Sequence, residues 1–177
     1  MKMQLISHVE SKHILAACTL VGDGGTKIEN LVGDGLPIRD AGNGKTRITL
    51  AAKHLEVTEV DLEMRVLRQP TAFILADGRP DAVPVHLYVP PPPPPAPKLV
   101  VMDGNALTLN LGTAISSSLE VWAHVSGASL DETPAVKVSA FNSSGSASEP
   151  LVASPGTYQV LLLIPGKRIE ITEVTVP

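Results

Sequence analysis

Five histidines, His8, His13, His54, His86 and His124, are the side chains of this chain best suited to proton transfer or metal binding. A helical metal site needs two of them at i and i+4 on one face, and no such pair falls on a credible helix here. Nucleophilic catalysis needs a serine or cysteine beside a base, itself held by an orienting group. No Gly-x-Ser-x-Gly turn occurs, and the serines at 116–118 and 143–148 sit in polar stretches that read as solvated loops. Glu56, Glu59, Asp61 and Glu63 crowd together in sequence. The alternation of Val60, Leu62, Met64 and Val66 with Asp61, Glu63 and Arg65 predicts a strand with its carboxylates on the wet face, not an acid/base pair.

Two glycine-rich stretches imitate ligand sites. Gly42-Asn43-Gly44-Lys45-Thr46 resembles the end of a phosphate-binding loop, but Arg39 stands where that pattern needs glycine. The next segment, Arg47–Ala52, alternates like a strand instead of opening a helix. Leu20-Val21-Gly22-Asp23-Gly24 recurs as Leu31-Val32-Gly33-Asp34-Gly35. Both copies read as strand ends followed by Asp-Gly turns, and Asp23 and Asp34 fall short of the carboxylates that a calcium loop requires. Residue chemistry therefore predicts no enzyme, no cofactor and no metal.

The elements that carry these residues are organised around a run of prolines: Pro90, Pro91, Pro92, Pro93, Pro94 and Pro95, then Ala96 and Pro97. Proline fixes φ near −65° and has no N–H, so the run is expected to be a polyproline II rod of roughly 25 Å. It divides the chain into 1–89, 90–97 and 98–177. Each flanking part is long enough to bury its own core. With only Phe73, Tyr88, Trp122, Phe141 and Tyr158 as aromatics, those cores must be aliphatic.

Net charge is −4, and no basic stripe runs along either part, which argues against nucleic acid as a partner. No run approaches the roughly 20 apolar residues of a membrane span. Cys18 is the sole cysteine, so no intrachain disulfide forms. The box Leu15-Ala16-Ala17-Cys18 resembles a lipoprotein processing site, but Ser7, His8, Glu10, Ser11, Lys12 and His13 fill the space where a signal needs an apolar stretch. Cys18 is expected to be a buried strand cysteine, and the chain to carry no export signal.

Short runs closed by turn residues predict strands in both parts. In the first they are Ile14–Val21, Arg47–Ala52, Val60–Val66, Thr71–Ala76 and Val83–Val89. In the second, Leu99–Met102 and Ala106–Leu111 flank a hairpin turn, with further alternating runs around Leu119–Val125 and Val136–Phe141. Asn142–Ser148 reads as a loop. Tyr158–Ile164, apolar on both faces, reads as a central strand, and Pro165-Gly166 turns it into Arg168–Val176, with Ile169, Ile171 and Val174 facing inward. The fold class expected is all-β: two small β-sandwich or barrel domains on a polyproline linker.

Ser154-Pro155-Gly156-Thr157-Tyr158-Gln159-Val160, followed by strand, turn and strand, resembles the end of bacterial immunoglobulin-like domains, where a Pro-Gly-x-Tyr corner precedes the penultimate strand. The resemblance covers about residues 154–176 and implies an immunoglobulin-like C-terminal sandwich. Trp122 either matches that family's core tryptophan or faces outward with Glu120 and His124 as an exposed binding residue. A two-domain chain with such an end further resembles phage capsid decoration proteins. That likeness implies a non-catalytic virion protein, assembled in the host cytoplasm. Its partners would be other virion proteins, above all the major capsid protein, with a homo-oligomer as a further expectation. Residues 1–89 would dock and 98–177 project. The alternatives are a carbohydrate-binding or adhesion module, for which Trp122 would be the platform, and an accessory domain of a bacterial surface system.

Overall fold

The computed structural model describes residues 1–19, 27–39, 47–83, 98–111, 119–127, 130, 133–167 and 169–177. The proline run, Asp23, Gly42–Thr46, His86, Tyr88 and the serines at 116–118 lie outside them. The chain is all-β. It divides into two compact units, Met1–Val85 with Gly166–Ile169, and His86–Pro165 with Glu170–Pro177.

The N-terminal unit is built on β1 (Lys2–His8), which lies between β2 (Ile14–Thr19) and β5 (Leu55–Asp61) in an antiparallel sheet. A central strand is shielded on both faces, and β1 is buried from Met3 to His8. Met3 and Leu5 pack with Ile14, Val66 and Phe73 in one core cluster. Gln4, Ile6 and His8 alternate with them and are buried too. Among the described residues, two further antiparallel pairs belong to the unit: β3 (Gly35–Arg39) with β4 (Arg47–Ala51), and β6 (Phe73–Ala76) with β7 (Arg79–Ala82). Asp77 and Gly78 link the second hairpin with φ of 47° and 75°, the paired positive values of a type I′ turn.

Two stretches expected as strand in this unit are helical in part. β5 stops at Asp61 because its partner begins at Lys2: the register Lys2↔Asp61 exhausts the ladder, and Leu62 N–H closes it on the Met1 carbonyl at 3.0 Å. With nothing left to pair, Met64–Arg68 coils into a short helix, α2. Leu62 and Val66 lie four residues apart, a spacing that serves one helix face as well as one strand face, and both reach the core. Likewise Leu31-Val32 ends helix α1 (Ile28–Val32), not a strand. Gly33 takes φ 61° after it, and its N–H bonds the Glu29 carbonyl at 2.9 Å.

Among the described residues, the C-terminal unit is a sandwich of seven strands. One sheet has the order β12-β9-β8, from Ser146–Pro150, Ala106–Asn110 and Val100–Met102. The other has the order β11-β10-β13-β14, from Ala135–Val138, Val121–Gly127, Gly156–Leu163 and Glu170–Val176. All pairs are antiparallel, and the chain crosses between sheets after β9, β11 and β12, as in immunoglobulin-like sandwiches. The core joins Val100, Met102, Leu107 and Leu109 to Val121, Ala123, Val125, Tyr158, Val160 and Leu162. It is aliphatic apart from Tyr158 and Phe141.

The expected loop at Asn142–Ser148 turns to strand at Ser146. The turn is confined to Asn142–Gly145, where the Asn142 Oδ1 accepts from the Ser144 and Ser146 amides at 3.0 Å. β12 then pairs with β9 although Ala147 is its one buried residue, and Pro150 is tolerated because β12 is an edge strand. β13 is central, as its two apolar faces predict: Leu161 and Leu163 are as fully buried as Val160 and Leu162. On β14, Val174 packs against the sandwich core, whereas Ile171 lies across from Leu161 on the opposite face.

Candidate functional site: histidines at the first hairpin

The β1–β2 hairpin gathers three of the five histidines. β1 ends at His8 and β2 begins at Ile14, so His8 and His13 face each other across the tip, with His8 N–H donating to the His13 carbonyl at 2.9 Å. His54 arrives from the short 3₁₀ turn Ala52–His54, whose last carbonyl accepts from Val9 N–H at 3.0 Å. The His8 and His54 rings stack with centroids 6.3 Å apart. His8 and His13 are fully buried.

Ser11 sits between the two hairpin rings. Its N–H donates to His8 Nδ1 at 3.1 Å, and its Oγ lies 3.0 Å from that nitrogen and 2.9 Å from His13 Nδ1. An amide can only donate, so His8 Nδ1 is unprotonated and His8 is neutral. The His13 Nε2 lies 2.8 Å from the carbonyl of Lys167, in the segment Gly166–Ile169 of the same unit. A carbonyl can only accept, so His13 carries its proton on Nε2. The Ser11 hydroxyl holds one proton to direct at either Nδ1.

Charges ring this cluster. Lys12 adopts φ 58°, unusual for a residue with a side chain. It is held there by Leu75 N–H on its carbonyl at 2.7 Å and by Glu56 Oε1 on its Nζ at 2.8 Å. Glu56 also accepts from Ser7 Oγ at 3.2 Å. Burial first, then His54, His13 and Lys12, pushes the His8 pKa down to about 4. Burial and Lys53 lower that of His54, with Glu10 opposing.

A serine hydroxyl within hydrogen-bond reach of two imidazoles has the outline of a nucleophile and its base. The chemistry is poorly matched to that role. The lone pair of His8 is already engaged by a main-chain amide, and a group that protonates near pH 4 is a weak base at neutrality. The same bonds serve well to fix a turn.

The other residues singled out by sequence are dispersed. Asp61 pairs with Lys2 at 3.0 Å and Glu63 with Arg65 at 2.7 Å, while Glu59 lies opposite Gln4. Asp61 and Glu63 thus each serve a partner of their own. Glu63 precedes a helix instead of sharing a strand face with the others. Cys18 is on β2 as expected but is half-buried, with Sγ 4.0 Å from Gln4 Oε1. Trp122 on β10 does not enter the sandwich core, which takes Val121, Ala123 and Val125 instead. It lies across from Lys137 and Leu163 and is half-buried, not an open platform. Its strand neighbour His124, on the same face, is fully buried.

The immunoglobulin-like corner is present in atomic detail. Tyr158, at the start of β13, is buried to the ring, and its hydroxyl donates to the Ser154 carbonyl at 2.6 Å. Opposite it in register is Gly127, where any β-carbon would collide with the tyrosine ring. No helix among the described residues is long and apolar enough to cross a membrane. No protein family, curated protein or solved structure matches the chain.

Proposed function

We propose that this chain is a non-catalytic structural protein of a phage particle, decorating or cementing the capsid and presenting its C-terminal sandwich. The observation that carries the reading is the sandwich with its Tyr158 corner, the kind of module that serves as a rigid, all-β interaction unit. The division into two compact units supports a split of labour, with the N-terminal unit docking on the major capsid protein and the C-terminal unit projecting. The absence of a basic stripe agrees with protein, not nucleic acid, as the partner.

Density-gradient fractionation of a lysate containing assembled particles tests it. The chain is expected to sediment with the particles and to stay with them through salt washing. Recovery of the chain only in the free protein fractions overturns the proposal.

A further inference from the structure

We propose that the tip of the first hairpin, residues 9–12, is an acid-operated latch: it is held shut by Ser11 on the unprotonated Nδ1 of His8 and released when that nitrogen takes a proton. The shut form uses the His8 lone pair as an acceptor for the Ser11 amide, with the Ser11 hydroxyl 3.0 Å away. A proton on Nδ1 turns the acceptor into a donor facing an amide donor, so the Ser11 N–H bond is lost outright. It also creates a charge in a fully buried ring.

Burial, His54, His13 and Lys12 oppose that charge. On the hairpin itself stand His13 and Lys12, with Glu10 nearby. The 3₁₀ turn contributes the stacked His54 and Lys53. β5 contributes Glu56, whose carboxylate is already committed to Lys12 and Ser7. The third element is the β6–β7 hairpin, joined to the tip by Leu75 N–H on the Lys12 carbonyl and by the His13–Ile74 bridge. Lys12 in its left-handed conformation is thus tied to both β5 and β6. Release of the tip frees those ties.

The latch makes a quantitative demand. In the open form His8 is an ordinary histidine, near 6.5, whereas in the shut form it protonates near 4. The open form therefore binds the proton more tightly. Opening becomes about tenfold easier for each pH unit between those values, about three-hundredfold in all, and levels off below.

Amide hydrogen exchange on the full ¹⁵N-labelled chain from pH 7.5 to 3.5, with imidazole nitrogen shifts recorded in parallel, tests this. The expected result is a Ser11 protection factor that falls with that slope, always below the protection of Leu5 in the same unit, and an unprotonated His8 Nδ1 at neutral pH. Ser11→Ala, which keeps the amide bond but removes the hydroxyl, should move release to higher pH. A pH-independent Ser11 protection overturns the latch. So does a His8 Nδ1 that is protonated at pH 7. Equal protection of Ser11 and Leu5 overturns it too, since the opening would then be unfolding of the whole unit. The wild-type readouts stand even if the variant fails to fold, and they are independent of whether the chain is found on particles.

Discussion

Tyr158 and Gly127 show at residue scale how the sandwich specifies itself. The tyrosine ring fills the core while its hydroxyl donates to the Ser154 carbonyl at the corner. Removing the hydroxyl breaks that bond, so Tyr158→Phe should lower stability by about 1 kcal/mol, read as a shifted denaturant midpoint with an unchanged slope. Gly127→Ala puts a methyl group into the tyrosine ring and should cost about 1–3 kcal/mol in the same assay. The Pro-Gly-x-Tyr corner was legible in sequence because it is local: donor and acceptor are four residues apart. The histidine cluster was not. His8 and His13 meet only because a hairpin folds them together, and His54 only because β5 pairs beside β1. A search for helical spacing passes over all three. The readable signal was a serine between two histidines at a turn between apolar runs.

At the scale of elements, the strand signals in the sequence located most of the C-terminal strands but passed over β1, β3 and β7 in the N-terminal unit. β10 and β11 overlap the alternating runs and β13 the run that is apolar on both faces, while on β14 the strand falls where expected but Ile171 and Val174 face opposite ways. Two of the failures share one cause: pairing is a property of the sheet, not of the segment. Val60–Val66 alternates throughout, but becomes helix where the β1 ladder ends. β12 has almost no apolar pattern, but becomes strand because β9 offers an edge. Turn chemistry is more dependable, since it resides in the turn itself. In the β6–β7 hairpin, Asp77-Gly78 needs positive φ at both positions, and Gly78 has open space around it. Gly78→Ala should therefore cost about 1 kcal/mol through backbone strain alone, with no steric penalty. A chemical melt of the N-terminal unit checks this, and a loss several times larger would show that the turn is also packed.

At the scale of the whole molecule, the division into two compact units agrees with a docking part and a presented part. The prolines at 90–97 predict a stiff spacer between them on sequence grounds. Replacing Pro90–Pro95 by a Gly/Ser stretch of equal length should leave the unfolding of both units unchanged and broaden the distance distribution in small-angle scattering. Loss of either unit's fold would instead make the prolines part of a domain edge. A decorating role requires above all that the chain be a stoichiometric component of a symmetric assembly. Counting its copies against the major coat subunit, by quantitative peptide mass spectrometry of purified particles, is the most direct measurement. The expected result is a fixed whole-number ratio set by the lattice, reproducible between preparations. A trace amount that varies from one preparation to the next would contradict it.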